Sequence, residues 1–148
     1  IARGHLDEHI RFVWIGNQHP VAETPPNVLC LGEIGDAHLA LRYASLYLLP
    51  SNYEGMPMSI LEALAFGVPV LASDVGGIAE ILNSRNGYAL KNDPMLFAAK
   101  IRQYRDNPTQ YALSSQEARR TFEERFTLEA MYSQYIKLYY HINRKTEA

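Results

Sequence analysis

The sequence predicts an α/β domain in which a parallel sheet is wrapped by helices, and three observations lead there. Short apolar runs of strand length alternate with amphipathic segments of helical length, the order that gives parallel strands joined by crossovers. Runs such as Val68-Pro69-Val70-Leu71-Ala72-Ser73 are apolar almost throughout, which suits strands buried on both faces. The length, 148 residues, suits one domain with a sizeable core.

The elements follow in order. Ile1 to Glu8 reads as the tail of a helix. Arg11-Phe12-Val13-Trp14-Ile15-Gly16 is a strand, and the polar, Pro-rich stretch Asn17 to Asn27 is a loop. Val28 to Leu31 is the next strand, closing at Gly32, with Cys30 buried in it as inert packing. Asp36 to Tyr43 is expected to form a short helix with Leu39, Ala40 and Tyr43 inward. It feeds the strand Leu46-Tyr47-Leu48-Leu49, which Pro50 ends. Ser51 to Met56 is a loop of turn formers. Pro57 suits a first helical position, where its missing N–H costs nothing. Ile60, Leu61, Leu64 and Ala65 mark one apolar face of a helix from Met58 to Phe66, and Gly67 stops it. The strand to Ser73 comes next, then the turn Asp74 to Gly77 and a short helix through Leu82. Asn86-Gly87 turns into the strand Tyr88-Ala89-Leu90. Helices from Met95 to Tyr104 and Thr109 to Glu123 flank the break at Asn107-Pro108. Thr127 caps a last helix with Leu128, Met131, Tyr135 and Leu138 along one face. Its tyrosines, Tyr132, Tyr135, Tyr139 and Tyr140, are expected to serve packing or an interface, with a partner domain or a membrane surface as candidates.

Composition removes several classes. Hydrophobic and charged contents of 47% and 20% are ordinary for a globular domain. A formal net charge of −2 gives no reason to expect nucleic acid. No apolar run approaches the roughly 20 residues that span a bilayer, and no signal peptide is visible. One cysteine excludes an internal disulfide. His5, His9, His19, His38 and His141 lack the paired spacing of a zinc site, and no Asp-x-Asp occurs, so no metal is expected.

The chemistry concentrates between Pro50 and Val70. Glu54 and Glu62 flank a turn that opens a helix directly after an apolar strand. In an open parallel sheet, ligands bind at the carboxyl ends of the strands, where helices begin. Free N–H groups of a first helical turn, with the positive end of the dipole, suit a phosphate. Glu62 lies one turn further along the same face and can accept from both hydroxyls of a ribose. Glu54, before the helix, can accept from hydroxyls beyond the second phosphate. The order ribose, diphosphate, sugar is that of a nucleotide sugar. Two carboxylates also invite a glycosidase reading, but Glu62 is placed for the ribose and not for an anomeric carbon.

The segment resembles the E-x(7)-E signature of retaining glycosyltransferases of family 4, which have the GT-B fold. The pattern P-S-x-x-E-G-x-P-x-x-x-x-E-A-x-A-x-G-x-P-V runs from Pro50 to Val70, and G-G-x-x-E follows as Gly76-Gly77-Ile78-Ala79-Glu80. More loosely, the resemblance extends from about Phe12 to Tyr139. It implies a Rossmann-like three-layer domain, the carboxyl-terminal half of a GT-B enzyme, spanning residues 1–148. It further implies a catalytic Glu54 at the donor sugar and donor-binding Gly55, Met56, Pro57, Met58, Ser59, Ile60 and Glu62. Gly76, Gly77 and Glu80 are possible additions. The substrate would be a nucleotide diphosphate sugar, a UDP-sugar foremost, with no further cofactor. The expected activity is hexosyl transfer with retention, in polysaccharide or glycolipid synthesis at the cytoplasmic face of a membrane.

The departures carry expectations of their own. GT-B enzymes have two such domains, and the acceptor binds mainly to the amino-terminal one. The first strand–helix unit, which in the family supplies an Arg and a Lys to the diphosphate, is expected to be missing, leaving this piece inactive alone. The usual second glycine after Gly16 is Gln18, and the acid before the strand into Pro50-Ser51 is Ser45. Two alternatives stand beside the transferase: a nucleotide-sugar epimerase on the same fold, and a noncatalytic nucleotide-binding module.

Overall fold

The computed structural model describes residues 9–19 and 23–146; the helix tail expected over Ile1 to Glu8 lies outside them. Strands β1 (Phe12–Ile15) and β2 (Val28–Gly32) precede a 3-10 helix (Ala37–Tyr43). Then come β3 (Tyr47–Leu49), α1 (Met58–Ala65), β4 (Val70–Ser73), α2 (Ile78–Ile81) and β5 (Gly87–Leu90). Three helices follow, α3 (Pro94–Asp106), α4 (Pro108–Arg125) and α5 (Leu128–Thr146). Every strand pair is parallel, as the alternation requires.

The strands form two hydrogen-bonded groups, β1–β2 and β3–β4–β5. In the second, Tyr47 stands opposite Val70 and Leu48 opposite Leu71, which in turn faces Tyr88. Because side chains alternate along a strand, the register sorts the sheet into two apolar faces. Tyr47, Leu49, Val70, Ala72 and Ala89 pack with Ile60, Leu64 and Ala118 on one side. On the other side Leu48, Leu71, Tyr88 and Leu90 pack with Phe97, Ile101 and Tyr104. The central strand β4 is buried along its whole length, so its apolar run reports its place correctly.

Helix ends follow local chemistry. Asp93 and Asn107 accept side-chain hydrogen bonds from the N–H groups of Met95 (2.8 Å) and Gln110 (3.0 Å), each with proline at the next position. Thr127 accepts from Ala130 N–H at 3.1 Å, as expected of a cap.

Five expectations need correction. The segment before β3 is a 3-10 helix, and its buried residue is Leu41, while Leu39 is 43% and Tyr43 88% exposed. A 3-10 turn repeats every three residues, so a face chosen on the α-helical period points the wrong way. Cys30 is half-buried, because β2 alternates between half-buried and exposed positions. The run that forms β3 is packed on both faces as its apolar character suggests, but its three residues are only half-buried and not enclosed. Pro57 is the residue before α1, with extended ψ of 121°, and not its first helical residue. The apolar face of α5 is not packed: Leu128, Met131, Tyr135 and Leu138 are all about half exposed or more, as are Tyr132, Tyr139 and Tyr140.

Candidate functional site

The site is built on α1, and the core holds that helix from below. Ile60, Ala63 and Leu64 are fully buried, and burial of each large side chain contributes about 1.5–3 kcal/mol. The carboxyl end is closed by Gly67 at φ 70°, whose N–H bonds to Leu64 O while Val68 N–H reaches Ala63 O, both at 2.9 Å. This paired bond pattern is a Schellman stop. From α4, Ser115 Oγ donates to Gly67 O at 2.7 Å and Arg119 donates to the Ala65 carbonyl. Anchored there, α1 opens toward the carboxyl ends of β3 and β4, between which it lies in the chain.

No side chain caps the amino end of α1. Ile60 N–H returns to Pro57 O at 3.1 Å, while the first-turn amides of Met58 and Ser59 have no carbonyl within the helix to bond. Their partial positive charge is directed to the space before the helix. Of the expected donor-binding residues, Ile60 has its side chain in the core and its N–H engaged. Met56 and Met58 are exposed, and Glu62 and Glu54 are half-buried.

Glu54 is held by its own loop: Ser51 Oγ donates to its Oε1 at 2.7 Å. The loop is held in turn from beyond β5, where Asn92 Nδ2 donates to Asn52 Oδ1 at 2.8 Å and lies 3.5 Å from Ser51 O. Tyr47 lies near both glutamates. Burial raises its phenol above the ordinary 10.0, a hydrogen bond with the Ser59 side chain opposes this, and the Glu54 and Glu62 carboxylates add to the rise. The phenol therefore sits within the field of both carboxylates beside the start of α1. Among the described residues, no ion pair involves Glu54, Glu62 or Glu80.

Gly76 and Gly77 close the site. Gly76 adopts φ 56°, and a Cβ there would lie 1.9 Å from Glu54 O. Gly77 N–H donates to Gly55 O at 3.0 Å, and a Cβ on Gly77 would lie 3.1 Å from the same oxygen. The turn before α2 thus rests backbone to backbone on the Glu54-Gly55 peptide. Glu80 falls in the single turn of α2, exposed. Its carbonyl accepts from Arg125 at 3.0 Å. Between α1 and the α4–α5 junction, Met58, Leu61, Glu62 and Ala65 line an apolar groove of about 430 Å³ with Phe122, Phe126 and Leu128.

Tyr47 and Asn92 are the site residues that sequence reasoning missed. Tyr47 reads as one more apolar strand residue, and Asn92 belongs to the turn before α3. Asn92 carries no local signal for meeting a loop forty residues away, and Tyr47 none for lying near the two carboxylates.

A parallel α/β sheet with helix amino ends and glycine turns gathered at the carboxyl ends of its strands defines a Rossmann-like domain. Solved structures share it: HepE of Anabaena, determined in complex with UDP, superposes with a TM-score of 0.71 at 22% identity, over 78% of this chain and 32% of that one. Residues 2–107 match the family of glycosyl transferases group 1, and the chain belongs to that family. It is 32% identical over 119 residues to N-acetyl-alpha-D-glucosaminyl L-malate synthase of Bacillus anthracis, covering 79% of this chain and 31% of that protein. It is 27% identical over 152 aligned residues to the Vi polysaccharide biosynthesis protein VipC/TviE of Salmonella typhi, covering 92% of this chain and 26% of that protein. The chain thus spans about a third or less of the length of these relatives. Among the described residues, no helix is long and apolar enough to cross a membrane.

Proposed function

We propose that this chain is the donor-binding domain of a retaining glycosyltransferase of family 4, one part of a longer two-domain enzyme that transfers a hexose from a nucleotide diphosphate sugar. The observation that carries the reading is the seat of Gly76-Gly77 on the Glu54-Gly55 backbone. It brings two glycine turns, a helix amino end and two carboxylates to one end of the sheet. A diphosphate would accept hydrogen bonds from the amides of Gly55, Met58 and Ser59, with the α1 dipole adding attraction. Glu62 would accept from the ribose hydroxyls. Glu54, oriented by Ser51, would accept from hydroxyls of the donor sugar, and the glycine seat keeps side chains out of that space.

In such a site the reaction depends on stabilising charge as the diphosphate departs and on holding the acceptor against the anomeric carbon. The amides at the start of α1 serve the first need. The second belongs to an amino-terminal domain, so this piece alone is expected to be inactive. A UDP-sugar is the first donor to test, in keeping with the UDP held by HepE. The kinship with a polysaccharide biosynthesis protein supports a role in polysaccharide or glycolipid assembly at the cytoplasmic face of a membrane.

Calorimetric titration with UDP, GDP and ADP and their glucose conjugates tests the assignment, on this chain and on the longer polypeptide. Saturable binding of one nucleotide, weakened about tenfold or more by Glu62→Ala through loss of charge-assisted hydrogen bonds, is expected. Binding that Glu62→Ala leaves untouched would remove the ribose from that carboxylate. Release of an altered sugar without any acceptor would turn the reading to an epimerase.

A further inference from the structure

Ser73 ends β4 and is fully buried, and its Oγ has no hydrogen-bond partner among the described residues. A hydroxyl buried without a partner is destabilising, and an apolar side chain would continue the run Val70-Leu71-Ala72 at no such cost. Folded interiors pair nearly all such groups. The hydroxyl therefore calls for a partner that the free chain leaves unengaged.

The ladder beside Ser73 names that partner. Tyr47 stands opposite Val70 and donates its N–H to Pro69 O, one residue earlier. In a parallel pair every second residue bonds to the same neighbour, so the register carries Ser51 N–H toward Ser73. That rung is not made. Ser73 O accepts instead from Val75 N–H at 2.9 Å, and among the described residues no N–H from Ser51 to Met56 donates to a backbone carbonyl. An unengaged amide and an unengaged hydroxyl thus stand at the same rung of β3 and β4. The Ser51 segment is also lightly held. Since β4 lies between β3 and β5, the hydrogen bond from Asn92 to Asn52 spans the end of β4, and Asn92 Nδ2 reaches Ser51 O only at a long 3.5 Å. Ser51 in turn holds Glu54, its Oγ donating to Oε1 at 2.7 Å.

We propose that Ser73 is a positioning residue for Glu54 that acts through Ser51. When a donor sugar engages Glu54, the Ser51 segment settles onto the end of β4 and Ser51 N–H donates to Ser73 Oγ. The bond joins two groups that have no partner in the free chain, so its gain appears in the complex and not in the stability of the free protein. It fixes Glu54 against the sugar and leaves the amides at the start of α1 and Glu62, which face the diphosphate and the ribose, as they were. The inference rests on the reading of Glu54 as the carboxylate at the donor sugar.

Calorimetric titration of the longer polypeptide compares the unsubstituted protein with Ser73→Ala, which removes only the hydroxyl. The ligands are UDP, GDP and ADP, each beside its glucose conjugate. For the pair that binds, the nucleotide sugar is expected to bind about tenfold more weakly to the variant, and the bare nucleotide within about twofold of its original affinity. The melting temperature should stay level or rise by a few degrees, because an unpaired buried hydroxyl is gone. A purely structural hydroxyl would instead lower the melting temperature and weaken both ligands alike; that result overturns the proposal, as does an unchanged affinity for the nucleotide sugar. Ser51→Ala keeps the N–H but loses the hold on Glu54. Adding Ser73→Ala to it should weaken the nucleotide sugar by less than about twofold more, whereas a second full tenfold loss would show that the two serines act independently and overturn the proposal. Nucleotide binding without the selective loss refutes the role of Ser73 alone. An unsubstituted protein that binds none of the nucleotides refutes the donor site, and the role of Ser73 with it.

Discussion

Replacing Gly76 by alanine tests the central claim, that the turn before α2 and the Glu54 loop form one surface. Two costs add. Gly76 has φ 56°, a conformation that costs an L-residue about 1–2 kcal/mol. The new Cβ would also lie 1.9 Å from Glu54 O and 2.9 Å from Glu54 C. Both contacts are backbone, so no rotamer change relieves them. Opening the first from 1.9 Å to an ordinary 3.4 Å separation moves the Glu54 peptide by about 1.5 Å. A shift near 1 Å in a positioned group can cost about 100-fold in rate. The core of α1 and β4 is untouched, so the domain should fold with a melting temperature lowered by about 4–8 °C. Transfer by the longer enzyme should fall about 100-fold. Gly77→Ala calibrates the result, since its Cβ meets Gly55 O at 3.1 Å with φ at −83° and needs a shift of only a few tenths of an ångström. Scanning calorimetry and initial rates with a UDP-sugar make the comparison. Full activity in Gly76→Ala, or a greater loss in Gly77→Ala, would refute the seat as the element that positions Glu54.

Further outcomes follow from the same geometry. Gly55 has open space around its Cα, so Gly55→Ala should leave the melting temperature unchanged while weakening nucleotide-sugar binding; unchanged binding would place the ligand elsewhere. Asn92→Ala removes the 2.8 Å tie to Asn52 and should cost about 0.5–1.5 kcal/mol at most, with a rise in donor KM measured by initial rates. Asn86 is fully buried, accepts from Asn83 N–H, and donates to Ile81 O and Thr121 Oγ1. Asn86→Leu should therefore destabilise by about 2–4 kcal/mol in urea unfolding, through unpaired buried groups. Burial first raises the phenols of Tyr47 and Tyr104 above 10.0. A group whose folded value is raised gives stability that is complete below its unfolded value and is lost as pH climbs through the folded one. Urea stability should thus decline above about pH 10, and less steeply in the Tyr47→Phe, Tyr104→Phe double variant.

The sequence alone determined whatever depends on neighbours in the chain. The stop at Gly67, the caps at Asp93, Asn107 and Thr127, the wholly apolar β4 and the opening of α1 between Glu54 and Glu62 are local in cause. A cap needs only its own next turn, and a glycine stop only its own φ. Tertiary structure decided what meets across the sheet. The rest of Gly76-Gly77 on Glu54-Gly55 and the tie from Asn92 depend on β3, β4 and β5 lying side by side, and the approach of Tyr47 to both carboxylates depends on α1 packing back onto β3. Strand order is not written in any one segment, because hydrogen-bond ladders are indifferent to the residues that form them. The inward face before β3 was misread for a related reason, since a 3-10 turn and an α-turn place the same residues on different sides. The exposed tyrosines of α5 were equally hidden: apolar character declares that a surface wants a neighbour, and only the assembled fold shows whether this chain supplies it.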